Sequence, residues 1–214
     1  MDLQDNCRRL VEHKYFLDDK RKAENALKQK CFVTNSIPAH RFAANVIPFW
    51  TLKAKSNPQI LFVNPTFVIG ATINTYENNC AAQCTNINNN FYESSDYEKI
   101  GALPLYIAIE GKNRVRLFQQ HQIDIRARVV QIGYPSHGEL QLHKYVLSDN
   151  YALSCSNDLF IHQDNHTVLL LYPEITVPLF ESYGVKRGKS IKDISMTNRK
   201  RLNLEEDLET NDFY

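Results

Sequence analysis

Residues 103–130, LPLYIAIEGKNRVRLFQQHQIDIRARVV, contain the pattern that decides the fold. The apolar run at 103–109 predicts a buried strand. The helical spacing of apolar residues at 113–121 predicts a helix directly after it. The alternation at 123–130 predicts a second strand, with Ile125, Ala127 and Val129 on one face. The stretch therefore predicts a strand, a turn, a helix and a strand in close succession.

The turn between the first strand and the helix has the composition of an anion site. Gly111 lets the backbone approach a ligand closely, and the first N–H groups of a helix carry partial positive charge. Lys112, Arg114 and Arg116 add cations, and Arg114 can bind a phosphate through two N–H groups. Asn113 can cap the helix. These residues predict a phosphate site.

The same stretch resembles the motif of the ParB/sulfiredoxin superfamily, in which a strand leads to Gly-x-x-Arg, a helix and a further strand. Gly111 matches the turn glycine, Arg114 matches the motif arginine, and Arg116 matches an arginine that partitioning ParB proteins place two positions later. Lys112 and Asn113 depart from the ParB pattern and from the Gly-Cys-His-Arg of sulfiredoxins. The sulfiredoxin cysteine has no counterpart, so peroxiredoxin repair is not implied.

The resemblance implies an α+β fold, a ParB/sulfiredoxin-like core with a small mixed sheet and peripheral helices. It implies a nucleoside triphosphate, ATP or CTP, with Mg²⁺, whose phosphates lie on the glycine turn. Compact members of the plasmid Osa type imply nucleotide hydrolysis or nuclease activity on DNA or a DNA-transfer complex, in a plasmid or mobile-element setting. The predicted nucleotide-binding residues are Gly111, Lys112, Asn113, Arg114 and Arg116.

Glu110 is the candidate catalytic residue, because it adjoins the turn and could polarise a water or hold Mg²⁺. Its alternative role is an ion pair with Arg114 or with the start of the helix. Two alternatives to the main hypothesis stay open. One is a non-catalytic inhibitor or adaptor that keeps the fold and binds a protein partner through residues 1–30. The other is a small-molecule phosphotransferase like the free-serine kinases.

The remaining sequence predicts one domain with extensions at both ends. Residues 1–30 predict a helical extension, 31–185 the ParB/sulfiredoxin-like domain, and 186–214 a charged tail. Within the domain, the asparagine-rich segment 74–98 predicts a polar loop. Strands are predicted at 60–63, 67–69, 142–147, 159–162 and 168–172. A helix is predicted from Pro173 to Gly184, and Gly184 is interpreted as its C-cap and not as part of a Walker A loop.

The net charge of +1 and the pI of about 7.7 give no global basic field, so any contact with nucleic acid must be local. The tail begins with many basic residues, although it can equally be a solvated segment balanced by later acids. The predicted DNA-contacting residues are Arg126, Arg128, Lys186, Arg187, Lys189, Arg199, Lys200 and Arg201.

The sequence predicts a cytoplasmic protein that does not interact with membranes. It has no apolar run of membrane-spanning length and no apolar segment typical of a secretory signal. Its five cysteines are an odd number at scattered positions, which favours reduced thiols. Cys80 with Cys84, and His162 with His166, are interpreted as free side chains, so no metal site is predicted from them.

Overall fold

The computed structural model describes residues 2–27, 36–53, 55–70, 81–90, 95–161 and 166–192. The described chain is mixed α+β, which confirms the predicted class at this level. Its helices are α1 (Leu3–Leu27), α2 (Ala39–Val46), α3 (Ala81–Asn89), α4 (Val115–His121) and α5 (Pro173–Tyr183). Its strands are β1 (Gln59–Val63), β2 (Val68–Ile69), β3 (Ser95–Ile100), β4 (Tyr106–Glu110), β5 (Ile125–Ile132), β6 (Leu140–Lys144), β7 (Tyr151–Cys155), β8 (Thr167–Leu169) and β9 (Lys186–Arg187).

The larger sheet has the strand order β1-β5-β3-β4-β2 and mixes parallel with antiparallel pairs. The pairs β3·β5 and β2·β4 are parallel, whereas β1·β5 and β3·β4 are antiparallel. The segment 103–130 supplies β4, α4 and β5, so the predicted succession of strand, turn, helix and strand is confirmed. However, β4 and β5 are not neighbours, because β3 lies between them.

Strand β5 has the alternation that the sequence predicted. Ile125, Ala127 and Val129 are buried in the core, while Arg126 and Arg128 lie on the opposite face. The antiparallel neighbour β1 sets Phe62 directly across from Arg126 and Ile60 across from Arg128. Directly opposed residues share one face of a sheet, so this face combines two arginines with two exposed apolar side chains.

The asparagine-rich segment is not a loop throughout, and this corrects the prediction for 74–98. Residues 81–89 form α3, and β3 begins at Ser95. Asn88 of α3 extends the sheet beyond the start of β3: its side chain donates to the carbonyl of Asp124 at 2.9 Å and accepts from the N–H of Arg126 at 2.9 Å. Residues 74–80 and 91–94 lie outside the described part of the chain.

A second sheet has the order β8-β7-β6-β9. The predicted strands at 142–147 and 168–172 correspond in part to β6 and β8, whereas the strand at 159–162 is wrong. Residues Asp158–Phe160 form a 3₁₀ turn, because the Asn157 side chain accepts from the N–H of Leu159 at 3.1 Å and caps the turn. Residue 162 lies outside the described residues, and β7 was missed.

Helices flank the larger sheet. The predicted N-terminal helix is α1, which packs on α5, while α2 was missed within a segment expected to be rich in strands. Helix α5 ends at Gly184 with φ +100°, and the N–H of Gly184 bonds to the carbonyl of Glu181. The interpretation of Gly184 as a C-cap is therefore confirmed. Among the described helices, none is both long and apolar enough to cross a membrane.

Glu98 of β3 is a buried carboxylate with a lysine and a histidine as hydrogen-bond partners. It accepts hydrogen bonds from Lys55 Nζ at 2.7 Å and from His40 Nε2 at 2.8 Å. Burial alone would raise the pKa of Glu98, but the hydrogen bonds from Lys55 and His40 outweigh it and hold the pKa below 4.5. The cluster ties α2 and the segment before β1 to the centre of the sheet.

We expect the cluster to make stability depend on pH in the acid range. Because the folded state lowers the pKa of Glu98, its contribution is present above 4.5 and is lost as the pH falls through the folded-state pKa. Replacing Glu98 by Gln should lower the free energy of unfolding clearly near about pH 7 and little near about pH 3. Urea unfolding at both pH values checks this, with Glu12→Gln on the exposed side of α1 as the control. An equal loss at both pH values contradicts it.

Candidate phosphate-binding site

Two glycines lie close together beside the parallel strands β2 and β4. Ile69 is the last residue of β2 and lies across from Ile107, whereas β4 continues to Glu110, so Gly70 leaves the sheet earlier than Gly111 does. A Cβ on Gly70 would lie 2.8 Å from the carbonyl oxygen of Lys112. Only glycine permits this approach of the two chain segments, and the carboxyl ends of parallel strands are where α/β sheets bind ligands.

Gly111 itself requires the absence of a side chain for two reasons. Its φ of +72° lies in the left-handed region, and a Cβ there would lie 2.4 Å from Ser95 Oγ. Ser95 is the first residue of β3, so the hydroxyl lies directly against the Gly111 turn. The close approach predicted for this glycine is thus made to Ser95, a residue that the sequence did not single out.

Two buried hydroxyls near the turn have no hydrogen-bond partner among the described residues other than each other. They are Ser95 Oγ and Tyr97 OH, and both side chains are about 1% exposed. Burial raises the pKa of Tyr97, whereas the Ser95 hydroxyl and the Arg114 guanidinium act in the opposite direction. Ser95, Tyr97 and Arg114 are therefore close enough to interact. Together they form a group of donors beside Gly111.

The residues after Gly111 begin with a tighter turn than the sequence predicted. Residues Lys112–Arg114 form a 3₁₀ turn, in which the N–H of Arg114 donates to the carbonyl of Gly111 at 3.0 Å, and α4 starts only at Val115. Lys112 is exposed, and Asn113 and Arg114 are half-buried. Asn113 Oδ1 is buried without a partner in the described chain and does not cap the helix. The N–H of Arg114 is thus occupied, so Arg114 could contact an anion at this turn only through its guanidinium.

Arg116 is directed towards α1. Its guanidinium lies 3.3 Å from the Asp19 carboxylate and stacks over the Tyr15 ring at 4.8 Å. It also lines a cavity of about 440 Å³ between α1 and α4, together with Glu12 and Gln119. A phosphate at Arg116 would have to compete with Asp19. The structure therefore separates Arg116 from the other predicted phosphate ligands.

Glu110 is exposed at the end of β4 and lies across from Asp96 in the antiparallel pair β3·β4. Asp96 is held by Arg128, whose Nε and Nη2 each bind one carboxylate oxygen at 2.8 Å. This bidentate ion pair offsets the repulsion between the two opposed acids. Among the described residues, no group of three or more His, Cys, Asp or Glu side chains is placed to hold a metal ion.

Beneath Gly70 lies a buried polar network that was also missed. Lys14 of α1 is fully buried and donates to Asp18, to the carbonyl of Gly70 and, at 3.0 Å, to Ser36 Oγ. Burial lowers the pKa of Lys14, and Asp18 opposes this effect. The repeated order of apolar strand and glycine, in Val68-Ile69-Gly70 and again at 107–111, is the signal in the sequence that could have located the Gly70 side of the site.

The predicted DNA-contacting residues do not form one basic surface. Arg128 is paired with Asp96, and Arg187 Nη2 lies 2.6 Å from Glu181. Arg126 is half-buried beside Asn88. Lys186 and Lys189 are exposed near β9, in the second sheet. Arg199, Lys200 and Arg201 lie outside the described residues.

Residues 1–30 were the predicted docking segment for a protein partner, and the apolar stripe of α1 faces inward only in its first half. Cys7, Leu10 and Val11 are buried, while Phe16 and Leu27 are exposed. Cys7, Cys84 and Cys155 are buried free thiols. Residues 28–30, Cys80 and His162 lie outside the described chain.

Comparisons of the chain with protein-family models, with curated proteins and with solved structures found no match. The described structure by itself defines a mixed α+β protein with two small sheets and a glycine-lined edge at the ends of β2 and β4.

Proposed function

We propose that the chain is a nucleotide-binding protein with a ParB/sulfiredoxin-like core, and that the Gly111 turn holds the phosphates of a nucleoside triphosphate such as ATP or CTP. The observation that carries the proposal is the pair of buried hydroxyls beside a glycine turn, Ser95 and Tyr97, which have no hydrogen-bond partner among the described residues other than each other. A buried unpaired donor is costly, and a phosphate oxygen is an acceptor that would satisfy it.

The charges beside the turn support the same ligand. Arg114 is half-buried near Tyr97, and Lys112 is exposed on the same turn. A partly desolvated guanidinium forms strong, directional bonds to phosphate oxygens, whereas an exposed lysine contributes a more strongly screened point charge. We therefore assign the main part of the phosphate affinity to Arg114, a smaller part to Lys112, and a peripheral role to Arg116.

The proposed activity is hydrolysis of the nucleotide, coupled to action on DNA. Mg²⁺ would lie between the phosphates and Glu110, whose exposed carboxylate at the end of β4 is free of burial costs. Glu110 would then either hold the ion or orient the attacking water. The exposed lysines 186 and 189, with the basic part of the tail, would supply phosphate-backbone contacts.

The decisive experiment is a thermal-shift titration with ATP, CTP and GTP in the presence of Mg²⁺. We expect one nucleotide to stabilise the wild type by about 2.7 kcal/mol at a concentration 100 times its dissociation constant. Arg114→Gln should abolish most of this shift, because it removes the positively charged guanidinium group near the buried hydroxyls. Arg187→Gln is the matched control, since Arg187 is an exposed, paired arginine in the second sheet.

A nucleotide shift that survives Arg114→Gln would contradict the assignment of the Gly111 turn. Pyrophosphate separates the contribution of the phosphates from that of the nucleoside. If pyrophosphate alone raises the melting temperature, the phosphates supply most of the affinity. If no nucleotide and no pyrophosphate shifts the transition, the proposal fails, and the non-catalytic interaction protein becomes the better hypothesis.

A further inference from the structure

A second edge of the larger sheet carries a cleft at the other end of β3. Strands β3 and β5 are parallel and end in register at Ile100 and Ile132. Gly101 follows β3, and its N–H donates to the carbonyl of Ile132 at 3.0 Å. The carboxyl ends of two parallel strands therefore open into one crevice, which is the position favoured for ligands in such sheets. Ser95 and Gly101 lie at opposite ends of β3, so this cleft is separate from the Gly111 turn.

The cleft has the size and the walls of a small-molecule site. Its volume is about 630 Å³, within the range of about 300 to 1,000 Å³ that is typical of ligand pockets. Four of its lining side chains are rings: Tyr134, His137, Phe160 and Tyr183. The rings of Tyr134 and Tyr183 are 5.9 Å apart, and those of His137 and Tyr183 are 6.2 Å apart at 87°. These walls favour a flat aromatic ligand.

The aromatic walls are held in place before any ligand binds. The Tyr183 hydroxyl donates to the carbonyl of Pro135 at 2.9 Å. Gly101 has φ +46°, and a Cβ there would lie 2.5 Å from the Tyr134 Cβ, so the turn fits closely around Tyr134. Tyr134 is only 8% exposed, and its hydroxyl is buried without a hydrogen-bond partner among the described residues.

The charged groups around the cleft already have hydrogen-bond partners. Lys55, at one side, is bound to Glu98 at 2.7 Å. Glu139, near Tyr183, accepts from the N–H and hydroxyl of Ser136 and from the Asn157 amide, and these bonds lower its pKa. An anion would have to draw Lys55 away from Glu98. A cation would have to compete with the hydrogen bonds that Ser136 and Asn157 donate to Glu139. The ligand that these groups favour is therefore uncharged.

We propose that this cleft binds an uncharged, planar nitrogen heterocycle, which packs against Tyr134, Phe160 and Tyr183. Its polar edge would meet the hydroxyls and amide of Ser56, Ser136 and Gln131, which line the same cleft. The ligand carries no phosphate, so the proposal is independent of nucleotide binding at Gly111. It assigns the protein a second ligand site at the far end of β3.

Saturation-transfer NMR on the full chain tests the proposal with indole and caffeine as probes. We expect both to bind saturably, whereas cyclohexanol, which is not planar, and benzoate and tryptamine, which are charged, should bind much more weakly. Ala102 is an exposed residue at the cleft, so Ala102→Phe should fill the opening without disturbing the core. This variant should weaken probe binding at least about tenfold, a difference of about 1.4 kcal/mol.

Ala23→Phe, on the exposed side of α1, is the matched control and should bind the probes like the wild type. Equal thermal stability of the two variants shows that any loss of binding is local. The proposal is overturned if neither probe binds the wild type saturably, if the charged or non-planar compounds bind equally well, or if Ala102→Phe binds the probes as tightly as the control does.

Discussion

Replacing Lys14 by Met will lower the free energy of unfolding by about 3 to 5 kcal/mol, because it leaves the Asp18 carboxylate buried without its cation. Both side chains of this pair have no exposed surface. Lys14 uses its three N–H donors on Asp18, Ser36 and the carbonyl of Gly70, so the substitution removes three hydrogen bonds at once. Urea unfolding at neutral pH measures the loss.

The exposed ion pair between Arg8 and Asp5 on the same helix provides the control. Its side chains are 41% and 44% exposed, so Arg8→Met should cost less than about 1 kcal/mol. The double variant Lys14→Met with Asp18→Leu should recover part of the loss, since no buried charge remains. Recovery stays partial because Asp18 Oδ1 also accepts from the N–H of Ile37 at 2.8 Å. A cost for Lys14→Met as small as that of the control would contradict the prediction.

The Lys14 network also shows what the sequence could not reveal. Its members lie at positions 14, 18, 36 and 70, and a lysine in a charged helix has the pattern of a solvated residue. The same helix was predicted correctly, because the spacing of Cys7, Leu10 and Val11 is local information. Burial of a charge depends on which distant segments surround it. The spacing of apolar residues along one helix does not predict those segments.

The missed strand β3 has a similar cause. Its sequence SDYEKI contains three charged residues and a serine, which is unusual for the central strand of a sheet. Three of these four residues find a partner or a close neighbour only through the fold: Asp96 with Arg128, Glu98 with Lys55 and His40, and Ser95 against Gly111. By contrast, β4, α4 and β5 have regular apolar patterns, and each was predicted within a few residues of its bounds.

In the candidate site too, the residues that are close in sequence were predicted and those from distant strands were missed. The glycine turn and its cations are contiguous in sequence, so Gly111, Lys112, Asn113 and Arg114 could be placed together before the structure was known. The hydroxyls of Ser95 and Tyr97 and the second glycine, Gly70, come from other strands and were missed. Arg116 was grouped with the turn by its position in the chain, but a helix turns its side chain towards Asp19.

Replacing Gly111 by Ala will destabilise the fold and remove nucleotide binding together. The left-handed φ of +72° alone should cost an alanine about 1 to 3 kcal/mol. The new Cβ would also lie 2.4 Å from Ser95 Oγ, so the turn and the start of β3 must move apart. Since the proposed phosphate position depends on exactly this approach, the nucleotide-induced shift should disappear as well.

Two further variants separate strain from loss of the site. Gly138→Ala is the control for stability, because a Cβ at Gly138 meets nothing within 4 Å and Gly138 has no left-handed φ, so the cost should stay below about 1 kcal/mol. Ser95→Ala keeps Gly111 and removes one of the buried hydroxyls. If that hydroxyl binds phosphate, Ser95→Ala should weaken the nucleotide shift while changing the stability of the unliganded protein little, because the alanine keeps the Cβ and removes only one buried hydroxyl. Unchanged nucleotide binding in both Gly111→Ala and Ser95→Ala would show that the turn is a structural feature of the fold, and that the phosphates, if bound, lie elsewhere.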